Sequence, residues 1–156
     1  MTTQTQMSTQ DLKQDKIILS GKRIYISGQI SGRRKKAAKR QFDEMELLLC
    51  AEGAKVINPL SLDYPWRRMQ WIDYMEQDIN ALKECDAIVM LEGWHKSKGA
   101  RIERTVAEIL GIEIIAGSSI LNELQLKHAT KWLLSKRPLR DVILYVPSEE
   151  REDRDV

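Results

Sequence analysis

Short apolar runs alternate with amphipathic stretches over most of this chain. Apolar runs bounded by Gly, Pro or Asn are typical of buried parallel strands, whereas apolar residues three and four positions apart are typical of helices that pack on a sheet. The runs predict five strands: Lys22–Ser27, Lys55–Asn58, Asp86–Leu91, Ile112–Ala116 and Val142–Val146. The spacing predicts four helices: about 34–51, 70–85, 100–110 and 119–135.

The helices are expected to bury one apolar stripe each. The stripes that the spacing predicts for the first three helices are Ala38, Phe42, Met45 and Leu49, then Ile72, Met75, Ile79 and Leu82, and then Ile102, Val106 and Ile109. Ser118 or Ser119 is the predicted N-cap of the fourth helix.

The alternation of strands and helices predicts an α/β fold. The expected architecture is a flavodoxin-like three-layer sandwich with a five-stranded, mainly parallel sheet of order 2-1-3-4-5. One domain would span residues 21–147, after a polar and disordered arm (1–20) and before a charged tail (148–156). In this order a crevice opens between the C-terminal ends of strands 1 and 3, and the two Gly-flanked loops 27–33 and 92–101 follow those strands.

Composition limits the classes of function. The 156 residues are 42% hydrophobic and 31% charged, with a net charge of +2, which is typical of a globular domain and gives no general attraction to polyanions. No apolar run is long enough to span a membrane and the N-terminus lacks a signal-peptide pattern, so a cytoplasmic protein is expected. Cys50 and Cys85 are expected to be buried thiols, and with only His95 and His128 available no metal or cofactor is expected.

The first Gly-flanked loop offers a possible anion site. It comprises Ser27, Gly28, Gln29, Ile30, Ser31, Gly32 and Arg33. Gly28 and Gly32 permit a close approach of the backbone to a ligand, and the following helix provides free N–H donors. The basic run 33–36 favours an anion nearby, although a solvated surface explains it almost as well. The loop contains neither a dinucleotide fingerprint nor a P-loop.

The second loop leads into a helix that carries Glu103. Ser97, Gly99 and Ala100 precede this glutamate, so a hydroxyl and several amides could converge on an anion; the alternative is that Ser97 is simply an N-cap. Glu103 is predicted in the first helical turn, where the helix dipole favours a carboxylate. Trp94 could stack on a base or cover the surface.

Two further side chains could complete a reaction centre. Asp78 lies at the edge of the apolar stripe of the second helix, where it could reach the crevice or form a salt bridge. Tyr25 points away from Ile24 and Ile26, so it could line the pocket or fill the sheet. Two carboxylates with separated pKa values could divide the roles of nucleophile and general acid.

These segments resemble a known enzyme superfamily. KRIYISGQISG, YMEQDINALKECDAIVMLEGW, SKGARIE and AEILGI are similar, over residues 22–117, to the nucleoside 2-deoxyribosyltransferase superfamily, and most similar to its compact phage and bacterial branch of uncharacterised function. The resemblance implies that Glu103 is the nucleophile that attacks the anomeric carbon of a deoxyribose. It also implies that Asp78 assists the leaving base and that Tyr25 orients the nucleophile.

The position six residues before the nucleophile distinguishes branches of this superfamily. The transferases that act on free nucleosides have an acidic residue there, whereas the nucleoside 5′-monophosphate N-glycosidases have a serine that binds phosphate. This chain has Ser97, which favours a nucleotide. It departs from the glycosidase branch in having Ser31 in place of an Arg, with Arg33 two residues later. The segment 59–74, expected to contact the base, carries Tyr64, Trp66, Trp71 and Tyr74.

The sequence therefore predicts an enzyme that cleaves the N-glycosidic bond of a 2′-deoxynucleoside 5′-monophosphate. The alternatives are a deoxyribosyltransferase acting on free nucleosides and a nucleotide-binding module without turnover. Binding of nucleic acid by the basic run RRKKAAKR is a weaker alternative. The resemblance also implies a homo-oligomer, a dimer or higher, for which the helix 119–135 is a candidate surface unless it packs on its own sheet.

Overall fold

A computed structural model describes residues 16–63 and 69–135. Its four strands form one parallel sheet in the order β2-β1-β3-β4. The strands are β1 (Arg23–Ser27), β2 (Lys55–Ile57), β3 (Ala87–Met90) and β4 (Glu113–Ala116). The helices are α1 (Lys35–Ala51), α2 (Trp71–Leu82), α3 (Lys98–Leu110) and α4 (Gly117–Ser135). The predicted fifth strand, 142–146, and the charged tail lie outside the described residues.

The sheet lies between two layers of helices. On one face the core joins α1 and α4 to the sheet through residues such as Ile26, Phe42 and Ile120. On the other face α2 and α3 pack through Leu82 and Ala107, among others. The predicted α/β class with a parallel sheet is thus confirmed, and the order of the four described strands is consistent with a flavodoxin-like fold. Of the predicted arm, residues 16–20 are described, and Leu19 is buried in the first of these cores.

The apolar stripe predicted for α1 is confirmed, because its four residues are the buried residues of that helix. The stripes predicted for α2 and α3 are partly wrong. In α2, Ile72 is exposed and Asp78 is buried. In α3, Ile102 and Ile109 are exposed, and the residues facing the sheet are Ala100, Glu103 and Ala107. The two small alanines let α3 approach the sheet closely, and hydrogen-bond partners on β1 make burial of the glutamate possible.

Helix α3 begins two residues earlier than predicted. Ser97 is its N-cap and accepts a hydrogen bond from the backbone N–H of Ala100 (3.2 Å). Glu103 therefore lies in the second helical turn, so the prediction of a first-turn carboxylate held by the helix dipole is wrong. Helix α4 begins at Gly117, directly after β4, so neither predicted serine is its N-cap.

The two cysteines differ in exposure. Cys50 is exposed, contrary to the prediction, whereas Cys85 is buried and burial raises the pKa of its thiol to about 11. Within the described ranges, no helix is both long and apolar enough to cross a membrane.

Candidate functional site

Strand β1 brings two hydroxyl groups to one face of the sheet. Tyr25 and Ser27 are two residues apart and both are fully buried, while Ile24 and Ile26 point into the opposite core. Tyr25 pairs with Ile88 of β3, so its position is fixed by the register between the two strands. The period of two along the strand therefore directs both hydroxyls toward the helical layer that contains α3.

Both hydroxyls donate hydrogen bonds to the carboxylate of Glu103. The Tyr25 hydroxyl donates to Oε1 (2.8 Å) and the Ser27 hydroxyl donates to Oε2. Glu103 is only 5% exposed, and this burial raises the pKa of its carboxyl from the ordinary 4.5 to about 7. The hydrogen bonds from Ser27 and Tyr25 oppose this rise because they favour the ionised form. The carboxyl is thus poised to change its protonation state near neutral pH.

A second carboxylate is close enough to interact with the first. Asp78 lies on α2 and is 7% exposed, and its negative charge adds to the rise in the pKa of Glu103. Because two like charges in a buried setting repel each other, the negative charge of Asp78 favours the protonated form of Glu103.

A cavity of about 370 Å³ lies beside these carboxylates. Its volume is in the range typical of small-molecule sites. Three parts of the chain line it: the first Gly-flanked loop, the segment after β2, and the facing parts of α2 and α3. The lining residues are Gly28, Ile30, Ser31, Pro59, Leu60, Leu62, Trp71, Tyr74, Met75, Asp78, Ser97, Gly99 and Ala100. Asp78 is the charged residue in this described lining, while Glu103 lies behind it.

The structure brings most of the predicted site residues together. Tyr25, Ser27 and Asp78 surround or approach Glu103, as described above. Of the other predicted binding residues, six line the cavity: Gly28, Ile30, Ser31, Ser97, Gly99 and Ala100. Ser97 is the N-cap of α3, as one of the two alternatives predicted, and it also lines the cavity.

Besides Ser27, four predicted binding residues do not line the cavity. Gln29 donates its side-chain amide to the carbonyl of Ser31 (3.2 Å), and Gly32 provides the left-handed backbone (φ 81°) that turns the loop. The guanidinium of Arg33 donates to Gln41 of α1, whose own amide donates to the carbonyl of Glu92. These contacts connect the two Gly-flanked loops through α1.

Trp94, the fourth of these residues, packs away from the cavity. Its ring lies 5.3 Å from the guanidinium carbon of Arg104 and makes an edge contact with His95. Of the four aromatics in the segment expected to contact the base, Trp71 and Tyr74 line the cavity. Tyr64 and Trp66 lie outside the described residues.

The segment after β2 contributes to the site through residues that the sequence analysis did not name, because only the aromatic residues of the segment 59–74 were singled out there. Pro59, Leu60 and Leu62 form one wall of the cavity, in and after a short 3-10 turn. Asn58 fixes this wall, because its side-chain oxygen accepts from the N–H of Leu60 (3.0 Å). An Asn–Pro pair directly after a strand is a turn signal that could have indicated this anchor.

The role of Ser27 also differs from its prediction as a substrate-binding residue, since its hydroxyl contacts Glu103. The alternation that orients Tyr25 places Ser27 on the same face, so the strand pattern contained this signal.

Comparison with known proteins identifies the family of the chain and not its activity. No curated protein matches the chain. Residues 22–116, which include both Gly-flanked loops, Asp78 and Glu103, match the model of a family described as Domain of unknown function (DUF4406). Since this match covers more than half of the sequence, the chain belongs to the DUF4406 family.

Proposed function

We propose that this protein cleaves the N-glycosidic bond of a 2′-deoxynucleoside 5′-monophosphate, with Glu103 as the nucleophile. The observation that carries the proposal is the buried carboxylate of Glu103, held by two hydroxyls beside a second carboxylate and a cavity. The superfamily resemblance of the sequence, with Ser97 at the position that favours a phosphate, adds the substrate class.

The reaction would proceed in two steps. The first step requires the proton of the carboxyl pair to lie on Asp78 and not on Glu103. An oxygen of the ionised Glu103 then bonds to C1′ while the bond from C1′ to the base breaks, and its electron pair goes to the base nitrogen, which takes the proton from Asp78. In the second, water attacks C1′, the ester to Glu103 breaks, and Asp78 takes the proton from water. The products are a free base and 2-deoxyribose 5-phosphate; a second base in place of water would give transfer.

The four residues of the site would have distinct parts. Tyr25 and Ser27 hold the carboxylate of Glu103 in one orientation, which reduces the freedom lost on reaching the transition state. The negative charge of Glu103 stabilises the positive charge that develops on the sugar, and Asp78 becomes negative as it gives its proton to the base. A deoxyribose lacks the 2′-hydroxyl that would oppose this charge, so a deoxy substrate is expected.

A second candidate is a nucleotide-binding module without turnover. It is favoured by one observation: both oxygens of Glu103 already accept hydrogen bonds within the protein, and the residue is almost fully buried. In that case Glu103 would only tie α3 to β1, and the cavity would bind a nucleotide without cleaving it.

Two structural expectations from the sequence, one from the alternation of its elements and one from the resemblance, remain part of this proposal. The first is a flavodoxin-like sheet of order 2-1-3-4-5, in which the fifth strand adds beside β4. The second is a homo-oligomer. In the described part of α4, Ile120 and Leu124 are buried and Leu121 packs against the same core, so this face of the helix is occupied by its own sheet. The exposed apolar residues of α3, such as Ile109, are a better candidate for contact between subunits.

Release of free base is the test. We expect the wild-type protein to release base from a panel of 2′-deoxynucleoside 5′-monophosphates, measured by chromatography, and Glu103→Gln to lose this release by a factor of roughly 10³ or more. Glu76→Gln changes an exposed carboxyl of α2 in the same way and serves as the control.

Normal release by Glu103→Gln would refute the proposed nucleophile. Binding of a monophosphate by the wild-type protein, measured by calorimetry and without release of base, would support the binding module instead.

A further inference from the structure

The charges around the cavity raise a problem for the proposed substrate. A nucleoside monophosphate carries up to two negative charges on its phosphate. The described lining residues include one carboxylate, Asp78, and no Lys or Arg, and Glu103 adds a second carboxyl behind the lining. A phosphate entering this cavity would meet repulsion unless a cation nearby compensates for it.

Lys98 is placed to be that cation. It is the first residue of α3, between the lining residues Ser97 and Gly99. Its ammonium nitrogen lies 4.5 Å from the centre of the Trp71 ring, and Trp71 itself lines the cavity and is 44% exposed. Lys98 is itself exposed, and its cation lies over a ring that lines the cavity, so the ammonium is placed at the rim of the cavity.

No carboxylate in the described part of the chain forms an ion pair with Lys98. A lysine in the first turn also opposes the helix dipole, and α3 has no acidic residue there to compensate. The contact with the indole is favourable, by about 0.5–1 kcal/mol at an exposed site, but leaves the charge of the ammonium in place. The flexible stem of a lysine would let the ammonium turn from the ring to a phosphate at the rim.

We infer that Lys98 is a specificity-determining residue, whose ammonium, held on Trp71 at the rim of the cavity, selects substrates with a 5′-phosphate over neutral nucleosides. This inference rests on the proposed function and adds to it. The cavity then has a negative interior, where the cationic sugar would form, and a positive rim, where the phosphate would bind.

The decisive variant is Lys98→Met, which keeps an unbranched stem on Trp71 and removes the charge. We expect kcat/KM for a deoxynucleoside monophosphate to fall roughly tenfold through KM, and kcat/KM for the matching nucleoside to change less than about twofold. Lys98→Arg should restore the preference, because it restores the charge and the ring contact. Raising the salt concentration should increase KM for the monophosphate in the wild-type protein and less so in Lys98→Met.

Lys96→Met is the matched control, since Lys96 is exposed two residues earlier and makes no ring contact in the described part of the chain. It should change neither substrate preference nor salt dependence. Thermal unfolding of Lys98→Met would show whether loss of the contact with Trp71 has altered the fold, and Lys98→Arg would still report on the charge.

The outcomes separate the two proposals. Equal losses for monophosphate and nucleoside in Lys98→Met, or a wild-type protein that prefers nucleosides, would overturn the role of Lys98 and leave the glycosidase reaction standing. Binding without base release would overturn the reaction, and the ratio of the dissociation constants of the two ligands would then test Lys98 in the same way. Absence of both binding and release for every monophosphate would overturn both.

Discussion

At the scale of single residues, two hydroxyls and a carboxylate form the centre of the candidate site. The hydroxyl of Ser27 opposes the effect of burial on Glu103 by donating to the ionised form, and the hydroxyl of Tyr25 does the same from the other side. If Glu103 acts as the nucleophile, its ionisation sets the acidic limb of the rate profile, and this limb should lie near pH 7.

Removing the hydroxyl of Ser27 should move that limb. Ser27→Ala leaves the carboxylate buried with one donor fewer, so the pKa of Glu103 rises further and the acidic limb of kcat/KM shifts upward by about one pH unit. Rates measured from about pH 5 to about pH 9 would show the shift. Ser118→Ala removes an exposed hydroxyl from α4 and should leave the profile in place. A limb that stays in place or moves to lower pH in Ser27→Ala would contradict the role of this hydrogen bond.

The sequence predicted the two candidate carboxylates but not the cause of their properties. Glu103 and Asp78 were selected from their positions in the predicted helices and given roles by the superfamily resemblance, and the structure places both in the buried region of the site. From the sequence we expected the helix dipole to favour the ionised form of Glu103. In the structure, burial and the hydroxyls of β1 determine the pKa of this carboxyl instead. Burial of a charged residue depends on which helix faces the sheet and how closely, and this is a property of the tertiary structure. The sequence analysis did not select Lys98 for a similar reason, because the aromatic ring that its ammonium contacts, that of Trp71, lies on another helix.

At the scale of elements, Asn58 connects the cavity wall to α1. It is 3% exposed, and its amide donates to the carboxylates of Glu46 (2.7 Å) and Asp43 (3.4 Å) while its oxygen accepts from Leu60. A neutral amide suits this position because it supplies both donors and an acceptor. The start of the wall that follows β2 is therefore held by one side chain.

Asn58→Asp should weaken this connection with little change in shape. The new carboxylate would keep the contact to Leu60 but face two carboxylates of α1, so we expect a loss of roughly 2–4 kcal/mol in the free energy of unfolding at about pH 7. At about pH 4 the introduced carboxyl begins to take up a proton, so its repulsion and the loss of stability should shrink. Urea unfolding at both pH values would measure this loss in the free energy of unfolding. The exposed Asn122→Asp in α4 is the control, and an equal loss at both pH values would argue against repulsion as the cause.

The elements themselves differed in how far the sequence could predict them. The buried positions predicted for α1 were correct throughout, because this helix buries a wide apolar face against the core. The prediction of the buried face of α3 was wrong, because the largest apolar residues of this helix point outward and small residues face the sheet. Periodicity indicates where apolar side chains lie on a helix, but it does not show that a close approach to the sheet will favour alanine over isoleucine.

At the scale of the whole molecule, the buried Glu103 lowers the stability of the fold at neutral pH. In the unfolded chain this carboxyl has its ordinary pKa of 4.5, whereas in the folded protein the pKa is about 7. Between these values the folded state holds the additional proton, so stability is greatest below about pH 4.5 with respect to this group and falls as the pH rises through 7. The difference corresponds to ~3 kcal/mol.

Glu103→Gln should remove this pH dependence. Its amide can exchange hydrogen bonds with both hydroxyls, which donate and accept, and it has no charge to bury. We therefore expect the variant to be more stable than the wild-type protein at about pH 8 and to show a flatter profile from about pH 5 to about pH 8 in urea unfolding. Glu76→Gln, at an exposed position, should retain the wild-type slope. A slope that persists in Glu103→Gln would assign the pH dependence to other groups.

The hydrogen-bonding register of β1 has a consequence for how this family could diversify. Tyr25 and Ser27 hold Glu103 from a strand paired on both sides, by β2 and β3, so the proposed reaction centre is part of the sheet. The residues that shape the cavity around a ligand come instead from helix ends and connecting segments, such as Ser31, Leu62 and Tyr74. Substitutions there can alter which molecule fits without touching the strand pairing. New substrate preferences can therefore arise in this scaffold while the chemistry stays fixed.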